Sequence, residues 1–176
     1  MKWIQKIVSF YDRTAVKIHG YETIPGSSLD FFYLVPKVYK GKTITLKDGT
    51  KIQKDDSVYE LHIVNTNLSQ LDTNYGNLFK MLREELAYVA SFINQPENHY
   101  VKGVFGITLL HRLAKRAGFT IIDMSNPIKR SLFSFGENIL RGALSKDSFK
   151  QKKKKKKKVE AKECWMSRAD ILELLE

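Results

Sequence analysis

The stretch Val101-Lys-Gly-Val-Phe-Gly-Ile-Thr-Leu-Leu-His-Arg-Leu-Ala-Lys-Arg-Ala-Gly-Phe-Thr-Ile-Ile-Asp123 decides the fold. It reads as a strand, a glycine-punctuated turn, a helix, a glycine stop and a second strand. Leu109, Leu110, Leu113, Ala114 and Ala117 recur at helical spacing and make one apolar face. Lys102, His111, Arg112, Lys115 and Arg116 supply a basic side. Gly118 stands where a helix is closed by a left-handed residue, with Lys and Arg in the preceding turn. Phe119 to Ile122 then runs as a buried strand.

Upstream lies a series of β signals. Pro25-Gly-Ser-Ser28 is a loop. Leu29 to Tyr39 reads as a strand, with Pro36 marking a sheet edge or bulge. Thr43 to Leu46 and a return strand from Lys51 flank Asp48-Gly49, a pattern that favours a type I′ hairpin. Asp55-Asp56 marks a turn, and Val58 to Val64 is another strand. Asn74 to Asn94 is the longest predicted helix. Leu78, Leu82, Leu86, Val89 and Ile93 form its buried stripe, while Arg83, Glu84 and Glu85 flank it or face away. At the N-terminus, Trp3, Ile4, Ile7, Val8, Phe10 and Tyr11 make an amphipathic helix. It either packs on the domain or lies in a membrane interface.

Downstream, Pro127 opens a basic amphipathic segment that reaches Leu144. A lysine run follows, Lys150 and Lys152 to Lys158. Like charges at that density repel and remain solvated, so residues 145–163 read as a linker without fixed structure. Cys164 to Glu176 reads as a short helix, with Cys164 outside the folded core and Ser167 and Asp170 at capping-box spacing; its apolar side, Ile171, Leu172, Leu174 and Leu175, needs a partner in the parent domain or in another protein. The domain organisation expected is therefore one domain over 1–144, a linker over 145–163 and a helix over 164–176. The fold expected is α+β: a small, mainly antiparallel sheet from Leu29 to Val64, extended near Val101 and Phe119, with two or three helices on one face.

Charge is unevenly placed. The chain carries +11 over 176 residues, and nine lysines against one aspartate between Ser145 and Lys158 account for +8 of it. The basicity belongs to one segment, which argues against a nucleic-acid-binding fold. No apolar run approaches the roughly 18–20 residues of a membrane span. The N-terminus lacks a signal-peptide pattern. A cytoplasmic protein, peripheral at the inner face of the membrane, is expected. Cys164 is the only cysteine, so an intrachain disulfide framework is excluded. His19, His62, His99 and His111 have no spacing that holds a metal on one element.

Several segments together resemble the YkoP-like domain of Bacillus-type bacteria. They are Tyr39-Lys-Gly-Lys42, Leu46-Lys-Asp-Gly-Thr-Lys-Ile52, Leu61-His-Ile-Val-Asn65, Val101 to Leu110, Arg116-Ala-Gly-Phe119 and Asn126-Pro127. The resemblance spans roughly Thr14 to Asn126. Similar domains sit beside polysaccharide deacetylase domains. The resemblance therefore implies a role in cell-envelope polymer metabolism, with polysaccharide-processing enzymes as partners. It transfers no catalytic residues.

Two functional readings stand side by side. In the first, the chain is a non-catalytic accessory or binding domain. Lys150, Lys152, Lys153, Lys154, Lys155, Lys156, Lys157 and Lys158 attach it to an anionic membrane or cell-wall polymer, with no cofactor. In the second, it is a CoA-dependent acyltransferase. The Gly103 to Leu110 turn resembles the acyl-CoA pyrophosphate loop of the GNAT acetyltransferases, with Phe105 where that loop has its central glycine. Gly103, Gly106, Thr108, His111 and Arg112 would line its site, with acetyl-CoA as cofactor. His62 is a further candidate ligand-binding residue. His62 and Asn65, three apart on a strand, point to opposite faces.

Overall fold

The computed structural model describes residues 22–27, 32–63, 75–124 and 160–176. The N-terminal helix expected over residues 1–12, the basic segment 127–144 and the lysine run fall outside the described residues.

Among the described residues, eight strands and three α-helices follow in chain order. They are β1 (Glu22–Thr23), β2 (Phe32–Val38), β3 (Ile44–Thr45), β4 (Lys51–Ile52), β5 (Ser57–Ile63), α1 (Tyr75–Ile93), β6 (Gly103–Thr108), α2 (His111–Arg116), β7 (Thr120–Ile122), β8 (Lys162–Ser167) and α3 (Arg168–Leu172). Six strands form one mixed sheet in the order β1-β2-β5-β6-β8-β7, and β3-β4 make a separate two-stranded sheet. Every neighbouring pair in the large sheet is antiparallel except β5 and β6. The fold is α+β.

The helices cover one face of the sheet. Phe32, Leu34, Tyr59, Leu61, Val104, Cys164 and Met166 meet Leu82, Leu86, Val89, Ala90 and Ile93 of α1, with Leu113 and Ile171 from the other helices. The stripe expected on α1 is present, with Leu78 partly buried at its start. Glu85 departs from expectation. It is fully buried and accepts a hydrogen bond from Ser27 Oγ at 2.6 Å. Three residues after Leu82 and four before Val89, it lies on the apolar stripe, and a hydrogen bond there offsets the cost of burying a carboxylate.

The β3-β4 hairpin packs on the opposite face, where Leu46 and Ile52 join Val58 and Trp165. It forms where Asp48-Gly49 placed it, but its turn is not type I′. That turn needs φ > 0 at both central residues, and of the pair only Gly49 has it, at 88°. The loop is instead Lys47-Asp48-Gly49. Leu46 accepts from Gly49 N and donates to Thr50 O, a three-residue connection closed by a left-handed glycine. Asp48 stays in ordinary backbone space, and its carboxylate accepts from Thr50 N and Oγ1.

The α2 stop is as the sequence predicts. Gly118 has φ 104°, its N–H donates to Lys115 O, and Phe119 N–H donates to Ala114 O, a complete Schellman closure. Pro36 also matches expectation. The β1 pairing reaches only Tyr33 and Leu34, so Pro36 lies where β2 has no ladder partner on that side among the described residues.

The largest correction concerns the C-terminus. Lys162–Ser167 is a strand, inserted between β6 and β7, and Cys164 is 2 % exposed in the helix-side core. Lys162–Ser167 therefore belongs to the same sheet as β6 and β7, and the helix expected over 164–176 is confined to Arg168–Leu172, packed into the same core through Ile171. Both faces of β8 are covered, with Cys164 and Met166 against the helices and Trp165 against the hairpin. A strand buried on both sides shows no polar alternation, so its sequence does not announce it. α3 then starts at Ser167, whose side chain accepts from Asp170 N at 2.9 Å, as the capping spacing predicts.

Candidate functional site

Two groups of polar side chains stand out among the described residues. The first is on the hairpin-side face of the sheet. Successive strand residues alternate faces, so Glu60 and His62 on β5 point the same way. His62 Nε2 lies 3.3 Å from Glu60 Oε1, and Lys37 Nζ on β2 lies 3.7 Å from Glu60 Oε2. Tyr33 is the cross-strand partner of His62, and Phe105 that of Glu60. Burial pushes the Glu60 carboxyl up, but hydrogen bonding and charge from His62, with Lys37, overcome this and hold it below the usual carboxylate value. Beside it, Phe105 stacks on Trp165 at 4.4 Å, Tyr39 meets the indole edge-on at 5.4 Å, and Trp165 Nε1 donates to Glu163 Oε2.

The second group is at one end of the sheet. Thr108 at the end of β6 is the register partner of Lys162 at the start of β8, and Ile122 at the end of β7 is that of Glu163. The β6–α2 corner, the exit of β7 and the entry of β8 therefore share one end. Thr108 Oγ1 accepts from Leu110 N at 2.9 Å and fixes the corner. Leu110 is 39 % exposed there. Lys162 Nζ pairs with Asp123 at 2.6 Å. Burial lowers the His111 pKa, and the charges of Lys162 and Arg112 lower it further against an opposing pull from Asp123. His111 Nδ1 is buried and has no hydrogen-bond partner among the described residues.

The sequence-derived candidates thus divide. Thr108, His111 and Arg112 meet at the sheet end, whereas His62 belongs to the other group with Glu60. Gly103 and Gly106 are not in a turn. Gly103–Thr108 is one continuous strand, paired with β5 on one side and β8 on the other. A Cβ on Gly103 would lie 2.5 Å from Met166 O, and one on Gly106 would lie 3.1 Å from Leu61 O. These glycines let backbones approach within a sheet. Amides committed to a ladder cannot also cradle a pyrophosphate, so Gly103 to Thr108 do not form the loop expected of them. Glu60 and Lys162 went unnoticed in the sequence. Glu60 was legible, since a carboxylate two residues before a histidine on a strand shares its face. Lys162 was not, because β8 was not recognised.

No group of three or more His, Cys, Asp or Glu among the described residues is placed to hold a metal ion. No described helix is long and apolar enough to cross a membrane.

A family model described as the YkoP domain matches residues 1–175. The chain belongs to the YkoP domain family. The match runs through the lysine run and the C-terminal strand, well past the segments that first suggested it. A relative named "Uncharacterized protein YkoP", from Bacillus subtilis (strain 168), is 28% identical over 100 residues, covering 52% of this chain and 55% of the relative. The aligned region thus spans about half the length of that protein. No solved structure matches.

Proposed function

We propose that this YkoP domain is a non-catalytic binding module of the cell envelope, held to an anionic membrane or polymer at the inner face by Lys150 and Lys152–Lys158. The observation that carries this reading is the concentration of charge. Most of the excess positive charge sits between Ser145 and Lys158, in the connection that joins β7 to β8. A lysine near an anionic bilayer contributes about 1 kcal/mol, so even part of such a run binds measurably. Because the connection is anchored in the sheet at both ends, attachment through it would hold the domain close to the surface.

The test is co-sedimentation of the full chain with phosphatidylglycerol-containing and pure phosphatidylcholine vesicles, and pull-down with a glycerol-phosphate polymer, across a salt series. The comparison protein has the eight lysines replaced by glutamine, which keeps the connection length. Salt-sensitive binding that requires the lysines is expected. Equal behaviour of the two proteins overturns the reading. Polysaccharide-processing enzymes are the proposed partners of the attached domain, to be sought by co-purification from membranes.

A further inference from the structure

The lysine run explains attraction to a surface but not how the domain is oriented on it. We propose that the end of the sheet formed by Leu110, His111, Arg112 and Lys162 is a bilayer-contact surface, with Leu110 seated among the lipid headgroups and Arg112 on their phosphates. This rests on the preceding reading, since it adds a fold-borne contact to the one made by the lysine run.

Two independent observations converge on this end. The first is topology. Lys158 precedes Lys162 by only four residues, so the run ends within about 14 Å of the β8 entry even if fully extended. Whatever surface holds the run is brought to this end of the sheet before any other. The second is an exposed large hydrophobe in a basic setting. Leu110 is 39 % exposed at the tip of the β6–α2 corner, where Thr108 Oγ1 fixes its backbone, and Arg112 follows it on an exposed position of α2. An apolar side chain flanked by cations suits a headgroup boundary, where the leucine gains burial and the cations keep water and phosphate. A hydrated phosphate polymer offers the cations a partner but gives the leucine nothing, and this selects the bilayer.

Asp123 opposes these cations, but it is paired with Lys162 at 2.6 Å and leaves Arg112 uncompensated by any ion pair among the described residues. Lys115 lies one turn along α2 from His111 and extends the basic side. Arg116 does not join it, because its guanidinium stacks on Phe79 of α1 at 4.5 Å.

The experiment uses the full chain and mixed phosphatidylglycerol/phosphatidylcholine vesicles. Leu110→Trp places an indole at the corner, and bromine-labelled phosphatidylcholine in the vesicles reports its insertion by quenching. Quenching beyond that of the parent chain is expected. In the parent sequence, Leu110→Asn and Arg112→Glu are each expected to weaken partitioning about fivefold or more, the equivalent of one basic residue or a similar apolar loss. Both positions are exposed, so thermal midpoints should match the parent and exclude misfolding as the cause. Binding that needs the lysine run but ignores both substitutions, with no added quenching, overturns this inference and leaves the attachment reading standing. Binding to glycerol-phosphate polymer without binding to vesicles overturns it in the same way. Binding to neither overturns both.

Discussion

Replacing Gly103 by alanine tests the central strand and the rejected phosphate turn at once. The added Cβ would stand 2.5 Å from Met166 O, with Ser167 Cα at 3.3 Å and Met166 C at 3.4 Å. These are backbone atoms of β8, which is paired with β6 on one side and β7 on the other, so no flexible side chain can swing away. Forcing an extra methyl into such a contact costs about 1–3 kcal/mol. The lower entropy of the unfolded alanine chain returns about 0.4–1 kcal/mol. The net expectation is a loss of about 1–2 kcal/mol, equivalent to roughly 2–8 °C in Tm for a chain of this size. Gly106→Ala is the control. Its Cβ would lie 3.1 Å from Leu61 O and 3.7 Å from Leu61 Cβ, a contact relieved by a few tenths of an ångström. It should change stability by no more than about 0.5 kcal/mol. Urea unfolding followed by tryptophan fluorescence measures both, since the Trp165 indole is buried against Phe105. Equal midpoints for the two variants would refute the strand packing. A Gly106→Ala variant that loses acetyl-CoA-induced stabilisation while keeping its own midpoint would instead restore the phosphate turn.

Three further outcomes follow from the described contacts. Trp165→Ala removes a 1 % exposed side chain from between Phe105 and Tyr39, and should cost about 3–5 kcal/mol in urea unfolding; a loss under about 1 kcal/mol would mean that the hairpin does not seal this face. Ser167→Ala deletes the acceptor for Asp170 N and should cost about 1 kcal/mol; an unchanged urea midpoint would show that the cap does not hold α3. Glu60→Gln should flatten the acid limb of stability. The Glu60 carboxyl titrates lower folded than its ordinary value of 4.5, so its contribution is present above that value and is lost as pH falls through the folded one. Urea midpoints over an acid pH series that are parallel for parent and variant would show that the His62 and Lys37 contacts do not stabilise the folded carboxylate.

What the sequence disclosed, and what it did not, follows from the range of the interactions involved. The α1 stripe, the Schellman closure at Gly118, the Ser167 cap and the hairpin at Asp48-Gly49 are local, so a few neighbouring residues specify them. The hairpin turn type was missed because Asp48 has a local alternative, accepting from Thr50 with its carboxylate. β8 was missed because nothing near it in sequence requires a strand. Its hydrogen bonds go to residues 103–108 and 120–122, more than forty positions away, and both its faces are buried. Glu60 was within reach, since its spacing from His62 is a same-face spacing on any strand. Its link to Lys37 depends on the β2-β5 register and was not. Glu85 lay on the apolar stripe, but its burial depends on Ser27, fifty-eight residues earlier.

The position of β8 also bears on how a polybasic segment works. A lysine run at a free end holds a domain on a long tether, and contacts made by the fold itself gain little from it. Here the run lies between two hydrogen-bonded strands, four residues from Lys162. For a surface already bound by the run, the β6–α2 corner is a second site at high effective concentration, so weak contacts at Leu110 and Arg112 add to the affinity nearly in full. Inserting neutral flexible residues between Lys158 and Lys162 would lower that concentration while keeping every charge and every corner residue. The expected result is weaker vesicle binding as the insertion grows, with no change once the corner carries Leu110→Asn and Arg112→Glu together. Binding that ignores the insertion in the parent sequence would show that the run and the corner act independently.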